Sequence, residues 1–241
     1  MTINLKLLTG KTVGIYRNEK QSATLYLYGP VGNIFGEDCI TASKVKNELN
    51  EMNSKEATIH IHSYGGDAFE GIAVYNVLKQ SGKKITGCMD GIAASAASII
   101  AMAGDTIQMP RNTQLMIHNA ATGLFGNEKE FEIVRKQLES TTHSLRNTYM
   151  QRFNRTENEL KKLMDEETFF SAEEALSYGL IDEVLKYDAE PIGKGSNTQN
   201  HSRSFKNNND IRVTEETLEK RNQRFVAFVN ALAKIAGHEG E

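Results

Sequence analysis

Two polar residues near the middle of the chain have the types and positions of a nucleophile and its base. Ser95 lies in the run CMDGIAASAASIIAMAG, residues 88–104, where a strand, a turn at Asp90–Gly91 and an Ala-rich helix are predicted in succession. His118 ends the apolar strand candidate QLMIHNA. The carboxyl ends of parallel strands gather functional groups at one edge of a sheet. The hydroxyl and the imidazole can therefore come within the roughly 2.6–3.2 Å that a general base requires.

Taken singly, each residue has a plainer explanation. Ser95 would be a small residue in a tight helix–sheet contact, and His118 a structural histidine at a strand end. Only the pairing of the two favours catalysis. Ser98, nearly one turn further along the helix, is predicted to point into the packing instead.

Backbone amides near Ser95 could stabilise negative charge on a substrate oxygen. The N–H of Ala96 opens the predicted helix, where amides lack intrahelical partners. In HSYGGDAFEG, Gly65–Gly66 follows a strand directly, either as a plain turn or as a second donor that lets substrate backbone approach. The glycine spacing of a phosphate-binding loop is absent.

Alternating short elements predict the scaffold. Strand-like and helical runs alternate over residues 23–188, which indicates an α/β fold with a parallel sheet and crossover helices. A long amphipathic helix is predicted from Glu128 to Phe153, either projecting to pack on another subunit or lying on its own sheet. Capping boxes begin two short helices, at Thr156 with Glu159 and at Ser171 with Glu174.

Composition excludes several classes of function. The 241 residues are 39% hydrophobic and 24% charged, and the net charge of −3 gives no reason to expect nucleic acid binding. No apolar run is long enough to span a bilayer. Cys39 and Cys88 do not form a disulfide framework and are predicted to be buried, so a cytoplasmic location without a signal peptide is expected.

His60 and His62 share a strand face, but two ligands do not make a closed metal site, and no metal or cofactor is expected.

Four segments are predicted along the chain. Residues 1–22 form an N-terminal segment and residues 23–188 the main domain. Residues 189–213, rich in Asn, Ser and Gly, read as a flexible linker. Residues 214–241 regain an apolar stripe and are predicted to form a C-terminal helix that docks on a partner or on its own oligomer.

Several segments in this order resemble the proteolytic subunit family of the Clp protease, over residues 24–185. The similar segments are HIHSYGGDAFEGIAVYN, CMDGIAASAASIIAMAG, MPRNTQLMIHNAATG and TFFSAEEALSYGLIDEVL. The resemblance implies a ClpP/crotonase-like fold of repeated strand-strand-helix units, in which the long helix is the "handle" between two stacked heptameric rings.

The resemblance also implies a serine endopeptidase acting on protein substrates. Ser95 would attack the scissile carbonyl, His118 would act as general base and then as acid, and Gly66 and Ala96 would bind the oxyanion. The substrate would lie along residues of the glycine turn, namely Gly65, Asp67 and Ala68.

Three features depart from the family pattern. Glu167 occupies the position of the family's triad Asp, and Asp165 is the alternative acid. Tyr64 replaces a usual Pro. The N-terminal segment does not resemble the family's axial loops, so an ATPase unfoldase partner stays open. The extra C-terminal tail resembles phage and prophage ClpP-like proteases assigned to head maturation, with scaffold, capsid or portal proteins as partners in the host cytoplasm.

Three rival interpretations remain. A crotonase-like acyl-CoA enzyme would use the paired amides without needing Ser95 and His118. A Ser-Lys peptidase resembling signal peptide peptidase A would need Lys83 or Lys84 as base, and neither lies in a supporting motif. A non-catalytic assembly protein would keep the handle and tail but not a working triad.

Overall fold

The structure is a computed structural model that describes residues 13–17, 23–33 and 39–186, with only the backbone described for 13–17. These residues fall within one compact unit, Met1–Ala189; the chain divides into this unit and a second, Glu190–Glu241. The predicted linker and C-terminal helix lie outside the described residues, so they stay predictions.

The described residues contain eight strands and six helices. The strands are β1 (Val13–Arg17), β2 (Ala23–Tyr28), β3 (Glu56–Ser63), β4 (Lys84–Ala94), β5 (Thr106–Pro110), β6 (Gln114–Ile117), β7 (Thr168–Phe170) and β8 (Glu183–Leu185). The helices are α1 (Ala42–Glu51), α2 (Ala68–Gln80), α3 (Ala96–Ala101), α4 (Glu128–Met150), α5 (Glu157–Asp165) and α6 (Ala172–Ser177).

The strands form one sheet in the order β1-β2-β3-β4-β5-β8, and β6 pairs with both β4 and β7. The β1–β2 and β6–β7 pairs are antiparallel, and the other pairs are parallel. Parallel neighbours need crossover connections, which the intervening helices supply. The predicted mixed α/β class is confirmed.

The two faces of the sheet differ in chemistry. Along β3, Ile59 and Ile61 are 1% exposed, whereas His60 and His62 alternate with them on the opposite face, as predicted. Burying an Ile side chain away from water stabilises the folded state by roughly 1.5–3 kcal/mol. The apolar face carries the core, and the other face carries aromatic and polar groups.

Strand β4 runs without a break to Ala94, so the predicted turn at Asp90–Gly91 is wrong. The strand changes partner instead of turning. Its first part pairs with β3 and β5, and residues Ile92–Ala94 pair with β6. The register between β3 and β4 shifts between Ile61 and Ser63, which absorbs the extra length. Ser95 therefore follows a strand directly.

Helix α4 is buried only in its second half. Its buried residues are Thr141, Leu145, Thr148 and Tyr149. In the first half, Phe131 and Ile133 are 54% and 56% exposed. The helix ends at Met150, three residues before the predicted end, and Phe153 is buried just beyond it.

The N-cap residues predicted for α5 and α6 are in place, but only one of the two capping boxes is complete. Ser171 and Glu174 form the predicted reciprocal capping box. At Thr156 only half of the predicted box forms: the Thr156 side chain accepts a hydrogen bond from the Glu159 amide, and no bond returns from the Glu159 side chain among the described residues. Gly179 follows α6 with φ 75°, which suits a helix C-terminus. Within the described part of the chain, no helix combines the length and apolar character needed to cross a membrane.

Candidate active site

Ser95 occupies a strained position between β4 and α3. Its φ of 54° and ψ of −125° lie outside the usual regions for a residue with a side chain. Among the described non-glycine residues only Ser95 and Glu167 have positive φ. Such conformations persist where the surroundings enforce them, and they concentrate at functional sites.

The backbone and side chain of Ser95 have separate partners. The Ser95 amide donates to the Met116 carbonyl at 3.0 Å, which ties this residue to strand β6. The side chain makes no capping hydrogen bond to α3. The hydroxyl is therefore not engaged by the helix that it precedes.

His118 lies next to the Ser95 hydroxyl. The distance from His118 Nε2 to Ser95 Oγ is 2.6 Å, so the structure brings together the two residues that the sequence paired. Strands β4 and β6 run parallel, with Ala94 opposite Met116, so the residues that follow each strand reach the same edge. An imidazole with its proton on Nδ1 can accept the hydroxyl hydrogen at Nε2.

Two opposing effects set the pKa of His118. Burial lowers it, because the charged ring loses its hydration, and the negative charge of Glu167 acts to raise it. Burial prevails, and the pKa lies below its usual value. The ring is therefore neutral at pH 7, the state in which it can take a proton.

The two acids proposed from the sequence have different partners. Glu167, with φ 50°, directly precedes β7, whose Thr168 pairs with Ile117 just before His118. Its charge acts on the pKa of His118, although no hydrogen bond joins the two side chains among the described residues. Asp165 instead accepts a hydrogen bond from the Asn119 side-chain amide at 2.7 Å. Proximity to the imidazole thus favours Glu167.

The glycine turn is packed against the backbone around Ser95. A Cβ atom on Gly65, whose φ is 95°, would come within 2.7 Å of the Ala94 carbonyl oxygen and of Ser95 Cβ. The turn is held by Val31, which donates to the Gly65 carbonyl at 2.9 Å and accepts from the Asp67 amide at 2.8 Å. Only glycine fits at this contact.

Two amides near Ser95 are available as donors. Within residues 23–33 and 39–186, the N–H groups of Gly66 and Ala96 make no hydrogen bond. A Cβ on Gly66 would lie 2.1 Å from the Val31 carbonyl oxygen, so this position also requires glycine. The arrangement can receive an oxygen that develops negative charge.

The remaining residues assigned to substrate binding have structural contacts. Asp67 is the N-cap of α2, and its Oδ1 accepts hydrogen bonds from the amides of Phe69 at 2.8 Å and Glu70 at 3.0 Å. Ala68 is the first residue of α2. Their part in substrate binding stays a prediction.

A buried hydroxyl pair supports Ser95 from behind. Ser98 Oγ donates to the Ser95 carbonyl at 2.6 Å and lies 2.6 Å from the Tyr149 hydroxyl. Because the Ser98 hydrogen is used on the carbonyl, Tyr149 is the donor in the second bond. The sequence predicted that Ser98 points into the packing, but Tyr149, which lies within the predicted amphipathic helix from Glu128 to Phe153, was not paired with it. The signal for the pair was that a buried tyrosine hydroxyl usually has a partner.

Comparisons with known proteins agree with this fold. The Clp protease family model matches residues 15–188. The chain is 30% identical to the ATP-dependent Clp protease proteolytic subunit of Deinococcus radiodurans over 186 residues, which cover 76% of this chain and 90% of that relative. The chain therefore belongs to the Clp protease family.

Proposed function

We propose that this protein is a serine endopeptidase that cleaves peptide bonds in protein substrates. The observation that carries the proposal is the 2.6 Å contact between Ser95 Oγ and His118 Nε2. Membership of the Clp protease family, which implies a serine-type peptidase, supports it independently.

The reaction would proceed in two halves. His118 Nε2 takes the hydroxyl proton while Ser95 Oγ forms a bond to the scissile carbonyl carbon. The imidazolium then protonates the leaving amine, which leaves an ester on Ser95. Water attacks this ester with His118 as base, and the acid product and the free serine are regenerated.

The surroundings would stabilise charge at each stage. The Gly66 and Ala96 amides would donate to the tetrahedral oxyanion, and such a donor is worth about 3–4 kcal/mol of barrier. Glu167 would stabilise the imidazolium that forms during attack. Because its interaction is by charge and without a hydrogen bond, it would orient the ring less firmly than a bonded acid.

The substrates proposed are capsid or scaffold proteins of a phage, processed during head assembly in the bacterial cytoplasm. Two features support this proposal. The C-terminal tail resembles that of phage ClpP-like proteases, and the N-terminal segment does not resemble the axial loops of the family. Stacked rings are proposed for the assembly, heptameric by resemblance. Phe131 and Ile133, which are exposed apolar residues on different sides of the first half of α4, support contacts of this helix with other subunits.

Labelling with a fluorophosphonate probe tests the chemistry. We expect a covalent adduct on Ser95, found by peptide mapping, that is absent in Ser95→Ala and strongly reduced in His118→Ala. Peptidase turnover should fall by about 10⁴–10⁶ in either variant. Ser144→Ala, which changes an exposed hydroxyl on α4, is the matched control and should label normally.

Two outcomes would favour the rivals. A correctly assembled oligomer that does not label would support a non-catalytic assembly protein. Thioester turnover that survives Ser95→Ala would support a crotonase-like enzyme.

The acid is tested by a pair of amide variants. Glu167→Gln removes the charge that acts on His118, so turnover should fall at least roughly tenfold. Asp165→Asn should keep most of the activity, because Asp165 contacts Asn119 and not the imidazole. A larger loss in Asp165→Asn than in Glu167→Gln would reverse the assignment.

A further inference from the structure

A compact group of ligand-type side chains lies on the sheet face that does not carry the core. His60 Nδ1 is 2.8 and 2.9 Å from the two carboxylate oxygens of Asp90. Cys88 Sγ is 3.8 Å from Asp90 Oδ1. One ligand atom from each of the three residues lies within 4.8 Å of the others. None of the three takes part in the proposed peptidase chemistry.

Strand pairing assembles this group. His60 on β3 stands opposite Cys88 on β4, and Asp90 lies two residues further along β4, on the same face. The neighbouring strand adds two aromatic residues: the Tyr26 ring stacks on His60 with 4.8 Å between centroids, and the Tyr28 hydroxyl donates to Asp90. The three side chains therefore project from rigid strands.

The spacing is close to that of tetrahedral metal ligands. Zinc bonds of about 2.0–2.3 Å to N, O and S place adjacent ligand atoms roughly 3.3–3.7 Å apart. The carboxylate need move only about half an ångström from His60 to reach this spacing, and its distance from Cys88 already approaches it. His60 and Cys88, which lie within 4.8 Å of each other, would have to approach by up to about 1 Å. Thiolate, imidazole and carboxylate together are a donor set typical of Zn²⁺.

The local electrostatics favour a cation. The Asp90 carboxylate is a negatively charged group that accepts hydrogen bonds from His60 and Tyr28. A divalent ion would offset this negative charge and stabilise the thiolate.

Access from solvent is available. The His60 and Asp90 side chains are 25% and 26% exposed, whereas Cys88 is buried beneath them. An ion could enter from the exposed side and keep a water as its fourth ligand.

We propose that His60, Cys88 and Asp90 form a Zn²⁺ site with three protein ligands. On binding, the Cys88 thiol proton is released to solvent, and the neutral His60 ring carries its proton on Nε2 so that Nδ1 faces the metal. Tyr28 keeps its hydrogen bond to the carboxylate and so orients it toward the metal.

Cobalt titration of the full-length chain, freed of metal by chelation, tests the site. We expect one Co²⁺ per chain with a thiolate charge-transfer absorption, which Zn²⁺ abolishes on competition. Cys88→Ser should remove this absorption, and His60→Asn and Asp90→Asn, which each replace a ligand, should weaken Zn²⁺ binding by at least about 100-fold, the upper end of the loss seen when only a ligand's supporting residue is changed. No such absorption at saturating Co²⁺, or unchanged Zn²⁺ affinity in His60→Asn, would overturn the proposal.

Two matched controls come from the chain itself. Cys39→Ser changes the other buried thiol, and His62→Asn changes the next histidine on the same strand face; both should bind as the unmutated chain does. Loss of the signal in either control would place the metal elsewhere and also overturn the proposal.

If Cys88→Ser does not fold, the unmutated chain gives a second measurement. Zn²⁺ should slow alkylation of Cys88 relative to Cys39, read by peptide mass spectrometry. An unchanged ratio of the two rates would reject the site.

Discussion

The hydroxyl pair behind the nucleophile allows a quantitative prediction about two substitutions that each remove one oxygen. Ser98 donates to the Ser95 carbonyl and accepts from Tyr149, whose side chain is 1% exposed. The two residues therefore stand at different places in one chain of hydrogen bonds, and removing one is not equivalent to removing the other.

Tyr149→Phe removes the donor at the end of the chain. Ser98 keeps its bond to the Ser95 carbonyl, and no buried donor is left without an acceptor. We expect a loss of about 1 kcal/mol in the free energy of unfolding, the net value of one hydrogen bond.

Ser98→Ala has a larger expected cost. It removes one donor from the Ser95 carbonyl, which then keeps the Ser98 amide at 2.9 Å. It also leaves the Tyr149 hydroxyl buried without its acceptor, which costs about 1–3 kcal/mol. The lost hydrogen bond itself costs about 1 kcal/mol more. We expect the free energy of unfolding to fall by about 2–4 kcal/mol in total.

The double variant distinguishes this reasoning from simple loss of packing. Once Ser98 is alanine, Tyr149→Phe removes the stranded hydroxyl, so it should be neutral or stabilising. The coupling between the two changes should therefore be about 1–4 kcal/mol. Urea unfolding followed by circular dichroism, at one fixed protein concentration, measures all four proteins.

The control is Ser144→Ala, an exposed serine on the same helix as Tyr149, which should change stability by no more than about 0.5 kcal/mol. Costs that add in the double variant, or a greater loss in Tyr149→Phe than in Ser98→Ala, would show that the hydrogen-bond order is wrong. Ser98→Ala should also lower turnover, because the Ser95 carbonyl loses one of its hydrogen-bond donors.

Three further predictions concern the site. Turnover should rise with pH as His118 loses its proton, and the midpoint of this rise in kcat/KM should lie below about pH 6.5. Glu167→Gln should move the midpoint to a still lower pH, because the Glu167 carboxylate acts to raise the pKa of His118. Gly65→Ala should lower kcat by on the order of 100-fold or more by displacing the nucleophile, whereas Gly82→Ala, with φ 68° and open space around it, should leave kcat unchanged. Asp67→Ala should lower the melting temperature through loss of a helix cap worth about 1 kcal/mol, and Asp67→Asn should not; an equal rise in KM in both variants would indicate substrate contact instead.

The scaffold was largely predictable from the sequence because its signals are local. The alternation of Ile59 and Ile61 with His60 and His62 fixes which face of β3 is buried. The capping box at Ser171 marks the start of α6. The proximity of Ser95 and His118 also followed from general topology, since both come after parallel strands.

The remaining features depend on long-range register. Asp90–Gly91 has the composition of a turn, but the exchange of partners by β4 keeps it in a strand and places Asp90 beside His60. The pairing of Ser98 with Tyr149 joins residues 51 positions apart through the packing of α4 on the site. The positive φ of Glu167 likewise arises from the junction between α5 and β7.

The exchange of partners along β4 has an implication for how this chain tolerates changes in length. Ser95 follows β4 and His118 follows β6, and these two strands are paired. The distance between the two side chains therefore depends on how many residues of each strand lie in the paired region. Deleting one residue within Gln114–Ile117 would rotate the imidazole to the opposite side of the sheet. An insertion in the exposed turn at Arg111–Asn112, just before that ladder, would leave the count unaltered.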